Sequence, residues 1–487
     1  MRVKIRAPFS VMMLAASVSV QAGEYSVTPF ASARTEVDTN RRLVQDSDTN
    51  FGVTASAGAL FRASSDESSL SITPSVSLKQ FTDDGTDIDQ DTEDYFLDMR
   101  ADHRINDKFS VGAYFSYDNV GVVDSELEDL GITFGGNDIA STGFELPNEN
   151  FSVETISAGP SITYVISEKN SLIFGGSYTQ AEYENQDTQL SDYTNYSIDA
   201  SWVRQLSLTD QFIVSIFTSK NDPDLNSLER GSVNAGRAFA NDGITNVNTL
   251  NDEFDETGIN LGYVRAFSDT LTANFTIGVR KTKGEFPDLT DFDIRLSQVS
   301  AATLQGQRGG ALTTTINRLD PILSDIAFLN ANPGFLTNSS QANHTYKQGS
   351  VDSTGLLLDL SVEKKYNDRT LLTAGLTKAT YPTGRGLVDR EEVSFGANHS
   401  FTDRIIGKSK LRYFRTDTVS EETLDLSNQA SDQIRLEAGV DWRMTEFWTL
   451  GGGYSYRSRS PEQGESADSH GLFLTVGYNG NKYAVSR

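Results

Sequence analysis

Three cations stand at every second residue in one short run, Lys408, Lys410 and Arg412. In an extended chain this spacing sets them on a single face. Arg435 and Arg443 share a phase in the next extended stretch, Arg457 follows in the one after, and Arg280 falls on an earlier one. The chain as a whole carries 67 acidic against 41 basic residues, for a net charge of −26. Basic residues gathered in so acidic a chain could form a track that lowers the electrostatic barrier for an anionic passenger. The same pattern also reads as a ladder of cross-strand ion pairs. Glu437 and Asp441 alternate with the arginines, and Asp98, Asp102, Asp359 and Glu363 are expected to line neighbouring faces. The two readings coexist.

A second constellation is acidic. Asp87, Asp89, Asp91 and Glu93 repeat every second residue, as carboxylates do in calcium loops, but the glycine and distal glutamate of such a loop are missing. A solvated acidic loop is the plainer reading; a Ca2+ site, or divalent cations bridging the loop to lipopolysaccharide phosphates, is the alternative. No other cofactor is indicated. Cysteine is absent, which removes disulfides, thiol catalysis and thiolate metal sites. Only four histidines occur. His103 and His399 fall on apolar phases near tight turns, His344 falls in the longest loop, and His470 begins the last strand. An outer-membrane hydrolase would need one of them beside a serine or carboxylate at the extracellular rim; His470 could approach such a position, but a solvated strand-end histidine is the plainer reading, so the chain is expected not to be an enzyme. Nucleic acid is excluded as a partner, because phosphate binding needs clustered positive surface charge on a basic protein.

The elements that hold these residues alternate with a period of two. In "SSLSITPSVSLKQF", Leu70, Ile72, Pro74, Val76 and Leu78 oppose Ser71, Thr73, Ser75, Ser77 and Lys79. In "YFLDMRADHRI", Leu97, Met99 and Ala101 oppose Asp98, Arg100, Asp102 and Arg104. Four charges on one strand face cannot sit in a dry core, so that face meets water or partner charges while the other stays apolar. About eighteen such segments of roughly ten residues occur, the length of a tilted membrane-crossing strand. Tight polar turns, such as Asn106-Asp107-Lys108 and Asn367-Asp368-Arg369, alternate with long links at Asp118 to Asn150, Asn221 to Asp255 and Gly284 to Ser353. Short turns at one end and long loops at the other mark an outer-membrane barrel. The expected fold class is therefore all-β, a transmembrane antiparallel β-barrel of about 18 strands, with 16 as the lower count. Trp202, Trp442 and Trp448 fall beside the tight turns on the apolar phase, as an interfacial aromatic girdle does.

Arg2, Lys4 and Arg6 before the apolar stretch Ala7 to Val20, with Val20-Gln21-Ala22 as the cleavage site, read as a signal peptide over residues 1–22. Residues 23–487 then form a single barrel domain with a long extracellular loop at about 284–353. Within that loop, Asp320-Pro321 opening a stripe of Ile322, Leu323, Ile326 and Leu329 before Asn332-Pro333-Gly334 predicts a short helix. No globular domain precedes the first strand, so neither a plugged gated transporter nor an autotransporter is expected.

The first hairpin, "VTPFASARTEVDTNRRLVQDSDTNFGVTASAGALF", and the ending "FLTVGYNGNKYAVSR" resemble outer-membrane barrels encoded with exopolysaccharide and exosortase (PEP-CTERM) systems. The resemblance is one of style over most of the mature chain, and it carries over no site residues. It implies a Gram-negative outer-membrane channel, or an accessory, for surface polysaccharide. Outer-membrane lipid, lipopolysaccharide, the barrel-assembly machinery and exopolysaccharide or its export components would be its partners. Such barrels commonly finish on an aromatic residue, whereas this chain ends at Arg487; Tyr478 or the short tail beyond it would serve instead. Two function classes follow: a passage for anionic polymer or small solutes, and a non-conducting structural or surface barrel whose acidic loops bind ligands.

Overall fold

The computed structural model describes residues 23–41, 43, 49–82, 91–122, 151–183, 192–224, 253–296, 342–383, 386–418, 431–461 and 466–486. The signal segment, the expected helix at 320–329, Asp87 and Asp89 lie outside the described residues.

Every described element is a strand, because the two-residue alternation leaves no helical stripe. The strands are β1 (Glu24–Asp38), β2 (Asn50–Ser64), β3 (Ser68–Phe81), β4 (Thr92–Arg104), β5 (Phe109–Val122), β6 (Phe151–Ser167) and β7 (Asn170–Tyr183). They continue as β8 (Asp192–Gln205), β9 (Asp210–Asp224), β10 (Glu253–Ser268), β11 (Leu271–Leu296), β12 (Ala342–Asn367) and β13 (Thr370–Thr383). The last are β14 (Gly386–Ser400), β15 (Ile405–Thr418), β16 (Ser431–Arg443), β17 (Trp448–Pro461), β18 (Ala467–Asn479) and the short β19 (Tyr483–Ser486). β1 to β18 each pair antiparallel with their sequence neighbours, and β1 also pairs with β18, so eighteen strands close into a barrel. Closure leaves no free edge between the first and last strands of the barrel wall.

Closure also settles the end of the chain. β18 breaks after Asn479, where Gly480 N–H donates to the Pro29 carbonyl at 2.8 Å. The tail then resumes pairing with β1, Tyr483 opposite Val27 and Ser486 opposite Glu24. The final strand thus passes Tyr478 and ends as a second piece, β19.

The apolar phase faces outward. Val76, Leu78, Ile198, Ile216, Val279, Leu411, Val440, Leu472 and Leu474 are all exposed, Ile198 at 68% and Leu472 at 64%. A belt of this extent around a closed sheet is stable only against hydrocarbon, so the barrel spans a membrane. At its turn end Trp442 and Trp448 are exposed on the same phase, and the Trp448 and Tyr478 rings pack at 4.9 Å. Trp202 packs edge-on against Phe212 there, completing the expected girdle. His103 and His399 lie on this phase too, accepting or donating at 2.8 Å with Ser68 and Thr370 hydroxyls.

The polar phase faces the lumen. On β2–β3 and β6–β9 it carries hydroxyl pairs across neighbouring strands: Ser56 with Ser77 at 2.9 Å, Ser157 with Thr179 at 3.1 Å, and Ser201 with Ser215 at 2.8 Å. Glycines open the wall elsewhere. A Cβ at Gly453 would run into the Ala438 carbonyl and lie 2.6 Å from the Phe473 ring, which itself stacks beneath the Arg34 guanidinium at 4.2 Å. Gly453→Val is expected to destabilise the barrel by about 1–3 kcal/mol, read as a lowered urea midpoint, whereas Gly477→Ala, whose Cβ nears only one backbone atom at 4.0 Å, should change little.

Two boundaries differ from expectation. β11 and β12 do not stop at Gly284 and Ser353 but continue as a paired ribbon to Leu296 and from Ala342, with an irregularity between Asp288 and Phe292. The connecting segment is therefore 297–341. His344 is accordingly on β12, opposite Ile294, and not in a loop. The ribbon escaped detection because strand pairing outruns the membrane-crossing length that the apolar period reports.

Candidate functional site: the charged lumen

β14 to β17 build one wall whose polar phase is rich in cations. Strand register places Arg412 opposite Arg435 and Arg435 opposite Arg457, so three guanidiniums from three strands share one row. Lys410 sits below Arg412, opposite Glu437, and Lys408 opposite Gly439. All the sequence-selected cations on these strands therefore face the lumen together. Arg443, on the same phase, lies exposed at the turn end. Arg280 is separate, on β11.

Ion pairing accounts for part of this wall. Lys408 Nζ meets Asp441 at 2.6 Å, and Arg457 Nη2 meets Asp38 Oδ2 at 2.7 Å. Arg280 Nη1 meets Glu256 Oε1 at 3.2 Å, and Thr282 donates to the same carboxylate oxygen at 3.2 Å. Arg280 is 5% exposed, and its Nε and Nη2 have no hydrogen-bond partner among the described residues. The ladder expected from alternation is thus present, but not with all its expected members. Asp98 and Asp102 lie on β4, five to eight positions round the eighteen-strand closure from β17 to β14, and so not beside the cationic wall. Asp359 and Glu363 are closer, on β12.

Depth separates the wall into two zones. Lys408, Lys410 and Glu437, toward the turn end, are exposed to the lumen. Toward the loop end the inward side chains are buried: Phe414 and Val120 at 0%, Phe254 at 3%, Arg390 at 5%, Arg435 at 7% and Arg457 at 8%. Phe414 lies beneath the Arg390 guanidinium at 4.2 Å and the Arg435 guanidinium at 5.6 Å, an arrangement in which each ring face attracts a cation. Residues just past β1 pack into the same level. Thr39 N–H donates to the His470 carbonyl at 3.0 Å, Arg41 and Leu43 are buried, and the Arg41 guanidinium lies over the Phe81 ring at 3.0 Å. These residues therefore cover the lumen face at the loop end between β18 and β3.

Four participants were not selected from the sequence. Arg390 and Phe414 belong to strands whose polar phase could have been extended by a few residues to include them. Asp38 and Glu256 meet their arginines only through register, Asp38 across a separation of 419 residues, and no local pattern carries that.

The acidic run is divided. Asp91 accepts the Phe81 N–H at 2.9 Å, and Glu93, on the outward phase of β4, accepts the Tyr95 hydroxyl at 2.8 Å. Among the described residues no group of three or more His, Cys, Asp or Glu could hold a metal ion. His470 is also outward, with Nδ1 at 2.7 Å from the Tyr454 hydroxyl.

No protein-family model matches the chain, and no curated protein matches it. Among solved structures it is similar to OccK2 (OpdF) of Pseudomonas aeruginosa, with 8% identity over 95% of this chain and 98% of that one at a TM-score of 0.44. It is likewise similar to OccAB4 of Acinetobacter baumannii, with 9% identity over 96% and 100% of the chains at 0.42. The FrpB iron transporter of Neisseria meningitidis aligns with 8% identity over 93% and 81% at 0.43.

Proposed function

We propose that this barrel is an outer-membrane channel that passes anionic solutes, small or polymeric, along the cationic wall of β14–β17. The observation that carries the reading is the row of Arg412, Arg435 and Arg457 in direct register. Like charges placed side by side across strands cost stability, so a sheet built for strength alone would alternate signs there. Arg435 and Arg457 of this row are buried, and the exposed Lys410 beside it presents the lumen with a cation that lowers the entry barrier for carboxylates and sulfates. Surface polysaccharide carrying such groups is the polymeric cargo that the resemblance of the first hairpin supports. Lipopolysaccharide around the belt and the barrel-assembly machinery are the partners such a channel would have.

A second reading is favoured by one observation, the burial of inward side chains at the loop end. Under it the barrel is structural and its acidic loops bind ligands at the surface. Purified protein in a planar lipid bilayer separates the two. The channel reading expects steady conductance that an acidic oligosaccharide blocks, with the block weakened in Arg412→Gln. Silence, persisting after deletion of 297–341, would leave the structural reading standing.

A further inference from the structure

The barrel wall parts at one seam. β12 and β13 pair from Asn367 opposite Thr370 only as far as Leu358 opposite Lys378, although β12 runs back to Ala342 and β13 on to Thr383. The register would continue with Leu357 opposite Ala379 and end with Ser353 opposite Thr383, and none of those five pairs is made. Over the same span β12 stays paired with β11 and β13 with β14, so the two strands diverge and leave a notch. Between other neighbouring strands of the described wall at most three pairs are unmade at the loop end. Those three are at β4–β5, where the Asp94 carboxylate bridges the gap by accepting the Gly121 N–H at 2.9 Å.

The lip of the notch is apolar on both faces. Leu356, Leu357 and Leu358 break the two-residue alternation of β12. Leu356 and Leu358 are on the outward phase, Leu356 46% exposed, and Leu357 is on the lumen phase with Gly355 and Asp359. On β13, Leu376 shares the outward phase, and Lys378, paired with Glu391 of β14, carries charge at the last paired level. The notch therefore opens where hydrocarbon gives way to headgroups at the loop end of the belt. Three successive leucines there give a hydrocarbon chain continuous apolar contact from the lumen to the lipid.

Arg280 stands on the lumen side of this lip. It faces Gly355 across β11–β12 and Leu357 on the diagonal, a separation that long side chains reach across. Its Nη1 is held by Glu256 of β10, whose carboxylate also accepts from the Thr282 and Ser219 hydroxyls. In a planar guanidinium the edge formed by Nε and Nη2 faces directly away from Nη1, hence away from Glu256 and β10; β12 and the notch lie on the other side of β11. That edge can grip both oxygens of one carboxylate. It has no partner among the described residues, although the side chain is only 6% exposed.

We propose that the β12–β13 notch is a lateral binding site for a single-chain amphipathic carboxylate, a fatty-acid-like molecule. Arg280 holds the carboxylate, and the hydrocarbon chain leaves over Leu357 and Leu356 into the surrounding leaflet. The site goes beyond the channel reading and stands whether or not the wall of β14–β17 conducts.

The test uses the full-length protein in phosphatidylcholine nanodiscs, with a fluorophore on a single cysteine at Leu356→Cys or at Ile216→Cys. Ile216 lies in the same cross-strand row, through Ile259 and Val279, and on the same outward phase, so the two labels sit at matched depth away from and beside the notch. Stearate carrying a nitroxide on its chain is titrated as quencher. It is expected to quench the Leu356 label at about tenfold lower concentration than the Ile216 label, the worth of one charge-assisted contact, while its methyl ester quenches both alike. Arg280→Gln with Glu256→Gln, which leaves no orphaned charge, should remove the preference for the stearate. Equal quenching of the two labels by stearate in otherwise unaltered protein means ordinary lipid around the belt and overturns the proposal, whether or not the double variant folds. Equal preference of ester and acid for the Leu356 label, or a stronger one for nitroxide-labelled phosphatidic acid, overturns the single-chain carboxylate. None of these results bears on conductance, so the channel reading stands or falls separately.

Discussion

Replacing Arg457 by alanine is expected to lower barrel stability by about 3–5 kcal/mol, the largest single effect on the lumen wall. Arg457 Nη2 donates to Asp38 Oδ2 at 2.7 Å, and the Ser469 hydroxyl donates to the other oxygen of the same carboxylate. Asp38 is 7% exposed and Arg457 8%. Removing the guanidinium leaves a buried carboxylate with a hydroxyl and a backbone amide, from Asn40, as its described donors. The position magnifies the loss. Asp38 ends β1 and Arg457 lies on β17, so the pair spans β18 and fastens the seam where the first and last strands meet. Urea denaturation, followed by the change in gel mobility between folded and unfolded barrel, reads the shift. The double variant Asp38→Asn, Arg457→Met should recover most of it, since a pair replaced together leaves no orphaned charge. A loss under about 1 kcal/mol in Arg457→Ala would show that the pair does not hold the seam.

Leu411→Arg is expected to cost about 2–4 kcal/mol, although both its chain neighbours, Lys410 and Arg412, are already charged. The difference is the side of the sheet. Leu411 is 40% exposed on the outward phase at mid-strand, where the surroundings are hydrocarbon, while Lys410 and Arg412 project into the lumen. A guanidinium at Leu411 would have to lose its water or thin the bilayer around it. Ser361→Arg provides the contrast. It faces the lumen on β12 between Asp359 and Glu363, and should alter stability by about 0.5 kcal/mol or less. Comparable losses for the two would mean that both faces of the sheet meet the same surroundings.

Much of this architecture is legible in the amino-acid sequence. The alternation from Ser68 to Phe81 is β3 from end to end, because a period of two survives whatever the strand pairs with. Strand number, the turn-and-loop asymmetry and the tryptophan girdle follow from the same local rule. The lumen was legible by phase but not by neighbourhood. Lys410, Arg412 and Arg435 could be assigned to one face, yet Arg457's carboxylate lies 419 residues away and Arg280's partner, Glu256, is reached only through strand register. Circular closure was the missing constraint, and it moved Asp98 and Asp102 from beside the arginines to a strand five to eight positions round the barrel from the cationic wall. The ribbon of β11 and β12 beyond the membrane was invisible for a related reason: no lipid imposes an apolar period there, and backbone pairing alone holds it.

The chain has no cysteine, so single cysteines can be placed without background. Cysteines at each position from Ile434 to Gly439 on β16, in the barrel reconstituted in lipid, should alternate. Arg435, Glu437 and Gly439 positions should react with a charged, water-soluble maleimide that reaches the lumen, with Glu437 fastest because it stands below the buried zone. Ile434, Leu436 and Ala438 positions should resist it and instead be quenched by a lipid-phase probe. Six positions reacting alike, or apolar positions shielded from both reagents by other parts of the protein, would contradict a single closed sheet with hydrocarbon outside and water within.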